Sequence, residues 1–518
     1  MAGELRVPDP ALLDRLLRHV TSEGKTRTVV APFTGAPLAE VPISSADDVR
    51  RAYRQAREAQ EAWAELPVKD RIRPFERLHD AILDRRADLL DVIQWETGKA
   101  RRHAYEEVLD VAASSLHYVR KAPGLLAPRA RRGPFPLATR TVEVRHPRGV
   151  VAFISPWNYP LSLGVSDVVP ALIAGNAVVH KPDTQTPLST LWTIDLLTEL
   201  GMPPEIWQVV VGDPADIGEP LIDDADYVAF TGSTRAGRGV AEAAAKRLIG
   251  CSLELGGKNP MIVLDDADVD RAAAGAIRAC FTNAGQLCVS IERLYVHDAV
   301  YDAFTERFAR AVRNMNIGPG HDWATQMGSL TSQRQLDAVT AHVDEAVEKG
   351  ATVVTGGKAR PDLGPFFYEP TILENVTDDM ALCRAETFGP VVALYRFRHM
   401  AEALELANDT LYGLNASVWT GDPAKGRALA SRIKAGTVNV NEGYASAYGS
   451  FDSPMGGMKN SGLGRRHGNE GLTKFTESQT ISSQAAWLGF DPILGLPYET
   501  YADTLVTLLK AMKRLHLK

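Results

Sequence analysis

The chain has 518 residues, 45% of them hydrophobic and 23% charged, with a net charge of −7. That is enough sequence for two or three domains, and no basic excess points to nucleic acid. Four cysteines (Cys251, Cys280, Cys288, Cys383), none in a CxxC pair, exclude a disulfide framework and point to a reducing cytoplasm. The start Met1-Ala2-Gly3-Glu4-Leu5-Arg6 lacks the apolar region of a signal peptide, and no run of about 18 apolar residues suggests a membrane span. The twelve histidines have no zinc-site spacing, so no metal is expected.

Residues 46–122 read as helical: Leu78, Ile82, Leu89, Leu90 and Ile93 recur on one helix face, and Pro67 and Pro74 punctuate the stretch. Residues 139–145 alternate as a strand does. From Arg148 the pattern changes to short apolar strands (149–154, 177–180, 207–211, 227–230) alternating with helices (161–174, 188–200, 215–222, 234–248). Such alternation implies parallel β-α-β units and a doubly wound cofactor domain. A second α/β region begins near Met261-Ile262-Val263-Leu264 and runs to about residue 440, and residues 475–481 form a further strand candidate. In the tail, Tyr501, Leu505, Leu508, Leu509, Met512 and Leu515 fall at helical spacing, and Lys510, Lys513, Arg514 and Lys518 make its end basic. The plainer reading is a helix packed on its own or a neighbouring subunit. The other is an amphipathic helix that touches a membrane surface or covers a substrate funnel.

Three residues carry chemistry. Cys288 follows Asn283-Ala284-Gly285-Gln286-Leu287, where small residues let backbone N–H groups approach a developing oxyanion. Its thiol needs activation, because a free cysteine is mostly protonated at neutral pH. Glu254 ends an apolar strand and precedes Gly256-Gly257, where partial burial would raise its pKa toward neutrality and suit it to general base work. Asn158 lies on the loop after strand 149–154, and reads either as an amide donor to an oxyanion or as an Asx-turn residue. No G-x-G-x-x-G fingerprint is present where one is expected. Instead Gly232-Ser233-Thr234 opens a helix whose free N–H groups can hold a pyrophosphate.

The segments Pro156-Trp157-Asn158-Tyr159-Pro160, Lys181-Pro182, Phe230-Thr231-Gly232-Ser233, Glu254-Leu255-Gly256-Gly257-Lys258, Asn283 to Cys288, Glu386-Thr387-Phe388-Gly389-Pro390 and Pro454-Met455-Gly456-Gly457-Met458-Lys459 follow in an order that resembles the aldehyde dehydrogenase superfamily. Met455 stands where Phe is usual. The resemblance runs from about Thr28 to about Thr480 and implies an α/β fold: a doubly wound parallel-sheet cofactor domain (1–125 and 148–254), a second α/β catalytic domain (255–443) and a small β oligomerisation sheet. Segments 126–147 and 444–490 would bridge subunits of a homodimer or homotetramer, and 491–518 would form the tail.

It further implies NAD(P)-dependent oxidation of an aldehyde to the free carboxylic acid through a cysteine thiohemiacetal and thioester. Cys288 would be the nucleophile, Glu254 the base that activates water, and Asn158 the oxyanion donor, with Lys181 in the catalytic set and on the adenosine ribose. Pro156, Trp157, Leu255, Gly232 and Ser233 would line the cofactor, Glu386 would bind the nicotinamide ribose, and Phe388 would pack beside the ring. Thr184 stands where NAD-preferring relatives often carry Glu, so NADP is the expected cofactor, with NAD as the alternative.

The texture most resembles actinobacterial enzymes of the succinate-semialdehyde dehydrogenase group, which makes succinic semialdehyde the nominal substrate. Thr282 and Ser166 occupy places where that group tends to carry carboxylate-gripping arginines. Either Arg293 or Arg465 substitutes, or the natural aldehyde is an uncharged aliphatic or aromatic one. A cysteine thiol esterase would not need the cofactor residues, and a redox-silent structural homologue would be expected to lose Cys288 or Glu254.

Overall fold

The computed structural model describes residues 7–135, 138–486, 489–492 and 495–516; the start Met1 to Arg6 and the basic terminal Lys518 lie outside the described residues. The chain divides into two compact units, Met1–Pro123 with Pro147–Phe475, and Gly124–His146 with Thr476–Lys518.

The helical stretch expected from residue 46 is five helices: Ala46–Glu65, Val68–Arg71, Arg73–Asp84, Arg86–Thr97 and Arg101–Leu126, of which the last runs past the end of the larger unit's first segment. Ser45 and Asp48 form a reciprocal capping box at the first, a device that contributes about 1 kcal/mol. Pro67 breaks the chain as expected. Pro74 instead sits in the first turn of Arg73–Asp84, where its missing N–H costs nothing.

Val150–Ile154 is central in a six-stranded sheet. From it the chain winds outward through Ala177–Lys181 to Trp207–Val209, then returns to its other side with Tyr227–Thr231 and Gly250–Glu254. These five strands are parallel and mostly buried, and Gly462–Leu463 adds an antiparallel edge beside Glu254. The reversal of winding direction leaves a crevice at the carboxyl ends of Val150–Ile154 and Tyr227–Thr231, where doubly wound sheets bind ligands. The helix expected over 161–174 is two pieces, Pro160–Val165 and Val168–Ile173. Pro170 has no N–H for the residue-166 carbonyl and its ring clashes there, so the helix restarts.

A seven-stranded sheet follows, ordered Thr352–Thr355, Thr371–Glu374, Val391–Phe397, Ile291–His297, Asn259–Val263, Asn415–Trp419, Thr437–Val440. All neighbours are parallel except the first pair. Phe281, Phe304 and Phe308 are fully buried in the core beside it, with the Phe281 and Phe308 rings stacked at 6.0 Å.

The smaller unit holds a three-stranded sheet ordered Thr476–Gln484, Thr139–Pro147, Arg129–Arg131, and a helix Tyr498–Arg514. The tail helix expected from spacing is therefore present. Of its apolar face, Tyr501 and Met512 are buried while Leu508, Leu509 and Leu515 are exposed. Among the described residues, no helix is long and apolar enough to cross a membrane.

Candidate active site

After the helix Val269–Phe281 the backbone makes a strained knot. Asn283, Ala284 and Gly285 all have positive φ, 52°, 54° and 69°. Left-handed backbone costs a non-glycine residue about 1 kcal/mol or more, so neighbours must hold it. The Asn283 N–H donates to His103 Nδ1 at 3.0 Å. The Gln286 side chain donates to the Asn283 carbonyl and accepts from the Thr331 N–H, both at 3.0 Å. At Gly285 a Cβ would lie 2.0 Å from the Gly389 carbonyl oxygen, so only glycine fits. Cys288 leaves this knot with its own carbonyl held by Asn259 Nδ2 at 2.7 Å. Burial pushes its thiol up to about 12, with the Glu254 and Glu386 carboxylates adding to the rise.

Glu254 is half-buried at the end of Gly250–Glu254. The chain packs closely against its carboxylate: a Cβ at Gly456 would lie 3.0 Å from Oε1. Burial raises this carboxyl to about 7, and the nearby Arg466 and Lys474 cations restrain the rise. A base that titrates near neutrality is what water activation needs. Asn158 is buried, and its amide Nδ2 donates across to the Gln286 carbonyl at 3.0 Å. An amide nitrogen has two hydrogens, which leaves one for a second acceptor.

A cavity of about 240 Å³ brings Cys288, Glu254 and Asn158 together with Pro156, Trp157, Gly232, Ser233, Leu255, Glu386 and Phe388. The residues fit a dinucleotide. Helix Thr234–Lys246 begins at this cavity behind its N-cap Ser233, whose hydroxyl accepts from the Ala236 N–H at 3.3 Å. Glu386 is held against the glycine turn, accepting from the Gly257 N–H at 2.8 Å, and a Cβ at Gly256 would strike its carboxylate. Burial raises its carboxyl to about 8. Trp157 and Phe388 meet edge to face at 5.5 Å. Lys181 and Thr184 do not line this cavity. Lys181 ends the strand Ala177–Lys181, buried, with Nζ donating to the Pro182 carbonyl at 3.4 Å, and Thr184 is half-buried in the turn after it.

A second cavity, of about 260 Å³, is walled by Tyr159, Tyr444, Tyr448, Phe451, Leu109 and Leu287, with Glu106, Asp110 and Arg278 among its lining. Thr282 and Ser166 are committed inside the protein: Thr282 donates to the Arg278 carbonyl at 2.8 Å, and Ser166 to Asp110 Oδ2 at 2.6 Å. Arg293 and Arg465, expected as substitute cations, line neither cavity. Arg293 is buried in the strand Ile291–His297, where its guanidinium donates to the carbonyls of Lys258, Leu406 and Ala407 and to the Tyr295 hydroxyl. Arg465 donates to the carbonyls of Gly457 and Gly464. Arg278 is the cation in the lining. It lies over the Tyr444 ring at 5.5 Å and 3.6 Å from Glu106.

The sequence reading missed Arg278, although it lies four residues before Thr282, in the last turn of the helix that Thr282 caps, and the i, i+4 spacing was available. It also missed Glu292. That carboxylate is buried on Lys258 at 2.5 Å and accepts from the N–H groups of Thr387 and Phe388, which holds Phe388 at its positive φ of 54°.

Residues 19–481 match the sequence profile of the Aldehyde dehydrogenase family. A Mycolicibacterium smegmatis protein provisionally named NADP-dependent succinate-semialdehyde dehydrogenase is 50% identical over 491 residues, 95% of each chain. Among solved structures, an NADP-dependent enzyme of E. coli aligns with a TM-score of 0.86 at 33% identity, covering 92% of this chain and all of its own. A betaine aldehyde dehydrogenase from Staphylococcus aureus in complex with NAD+ aligns with a TM-score of 0.85 at 30% identity, covering 94% of this chain and 99% of its own.

Proposed function

Because the chain belongs to the aldehyde dehydrogenase family, we propose that it oxidises an aldehyde to the free acid with Cys288 as nucleophile and Glu254 as base, using NADP in preference to NAD. The observation that carries this reading is the single cavity shared by a cysteine, an amide donor and a carboxyl poised near pH 7. Cys288 passes its proton to solvent water and adds through sulfur to the aldehyde carbon. The resulting oxyanion takes a hydrogen bond from Asn158 Nδ2. A bound nicotinamide supplies the hydride acceptor. Loss of hydride from the aldehyde carbon leaves a thioester on Cys288. Glu254 then takes a proton from water, the hydroxide adds to the thioester carbonyl, and the tetrahedral adduct expels the Cys288 thiolate with the acid.

Pro156, Trp157, Leu255, Glu386 and Phe388 hold the cofactor, with its pyrophosphate at Gly232 and Ser233. Lys181 and Thr184 serve its adenosine ribose, and Thr184 offers no carboxylate to repel a 2′-phosphate. The M. smegmatis relative's name supports NADP and makes succinic semialdehyde the nominal substrate, with Arg278 as the cation for its carboxylate. A second reading, an uncharged aldehyde, is favoured by the aromatic wall and by the carboxylates of Glu106 and Asp110. The six-stranded sheet and its helices act as the cofactor domain and the seven-stranded sheet as the catalytic domain. The three-stranded sheet joins subunits of a cytoplasmic homo-oligomer, which sedimentation would detect. The test of function is formation of reduced cofactor with succinic semialdehyde and with butanal, each by wild type and Cys288→Ala. Activity with either aldehyde that vanishes in the variant supports the reading, and equal activity in the variant overturns it.

A further inference from the structure

We infer that Lys99 and Glu107 form a buried positioning pair that aims the Asn158 amide at the reacting carbonyl, an inference that rests on the oxyanion role proposed for Asn158. Both side chains are fully buried and paired with each other. A lysine and a glutamate taken out of water lose hydration that their mutual attraction barely offsets, so such a pair is a poor device for stability alone. Each member also grips the same short segment of chain. Lys99 follows the left-handed cap Gly98 (φ 76°), which turns the chain out of the helix Arg86–Thr97. Its ammonium donates to the Asn158 carbonyl at 2.7 Å and lies 3.9 Å from the Tyr159 ring centroid. Glu107, on the helix Arg101–Leu126, accepts through its other oxygen from the N–H groups of Leu161 and Ser162, at 2.9 and 3.1 Å.

The pair therefore clamps the backbone before and after Tyr159-Pro160. The Asn158 carbonyl takes a second donor, Asn283 Nδ2 at 3.0 Å, and the Asn158 side chain reaches the Gln286 carbonyl. Peptide 158 is thus fixed from one side by Lys99 and from the other by the loop that carries Cys288. Lys99 and Asn283 hold the backbone from which the Asn158 side chain projects, and the Gln286 carbonyl holds its amide. The donor stays oriented before substrate arrives, which is what an oxyanion site requires. Lys99 and Glu107 touch neither cofactor nor reacting atoms; they act through Asn158.

The test is a double-mutant cycle on the full-length enzyme. One arm is Asn158→Ala. The other is Lys99→Met with Glu107→Gln, which removes both charges and leaves no lone buried ion. The third variant combines them. The readouts are the first-turnover rate of reduced-cofactor formation and the KM for cofactor. Asn158→Ala should slow the first turnover about a hundredfold. The pair variant should slow it roughly tenfold or more with cofactor KM unchanged, and the combined variant should be no slower than Asn158→Ala, because the pair has nothing left to position. Multiplying effects, or a pair variant with the wild-type first turnover, would overturn the inference. A wild-type rate for Asn158→Ala removes the oxyanion role itself, and the inference with it. If the pair variant does not fold, Glu107→Asp keeps the charge while withdrawing the oxygen from Leu161 and Ser162, and the same non-additive pattern is required of it.

Discussion

The two cavities of the larger unit are nearly equal in size and opposite in construction. The first, around Cys288, is framed by backbone: a run of positive φ, glycines that admit no Cβ, a helix N-terminus and a carboxylate, Glu386, held by the Gly257 N–H. The second is walled by side chains from four separate segments, Glu106 to Ala113, Tyr159 to Ser162, Arg278 to Leu287, and Tyr444 to Phe451. Chemistry that requires one geometry is set by the main chain, whose conformation short motifs dictate. On the proposed function, recognition of the substrate tail falls to side chains that can vary without moving the backbone.

Substitutions can break that contrast, and the largest effect belongs to the backbone-framed cavity. Cys288→Ala should lower dehydrogenase turnover on the order of 10⁴-fold or more, because the sulfur carries the acyl group, while cofactor binding measured by fluorescence titration stays unchanged. Turnover within a few-fold of wild type would remove the nucleophile. Next is Glu254. With its carboxyl raised to about 7, it works as a base only above that pH, so steady-state turnover limited by deacylation should rise with pH through about 7. Glu254→Gln should flatten that rise and slow turnover roughly 10²- to 10⁴-fold. A profile that keeps its inflection in the variant assigns the titration to another group.

Smaller effects belong to specificity. Thr184→Glu, at a half-buried place, puts a carboxylate near a 2′-phosphate and should cost about 2 kcal/mol, roughly thirtyfold in kcat/KM with NADP, and less with NAD. Equal responses would mean that Thr184 does not face the ribose. Arg278→Gln has the smallest expected effect, because the side chain is 52% exposed and already beside Glu106. It should lower kcat/KM for succinic semialdehyde about tenfold and leave butanal unchanged, as loss of one charge-assisted contact predicts. No change with either aldehyde would favour the uncharged-substrate reading.

The same contrast explains what was legible in the sequence. Cys288, Glu254 and the turn at Gly232 could be placed because each sits in a contiguous segment whose glycines and strand ends fix the local path. The winding of the six-stranded sheet followed from alternating apolar runs and helices. The split of the helix over 160–173 was hidden because hydrophobic spacing continues across it, and only Pro170 marks it. Arg293 misled because charge is visible in a sequence and burial is not: in Ile291–His297, a strand buried along most of its length, its guanidinium is consumed by carbonyls. Lys99 and Glu107 were missed for the converse reason. Both meet the segment from Asn158 to Ser162, far along the chain, and no local pattern records that meeting.

The central claim is covalent catalysis at Cys288 with hydrolysis by Glu254, and trapping the intermediate tests it most directly. Glu254→Gln, mixed with NADP and succinic semialdehyde or butanal and quenched in acid, should release a burst of reduced cofactor and carry the acyl group as a mass increment on the peptide that contains Cys288. An unmodified Cys288 peptide together with undiminished steady turnover would contradict the account.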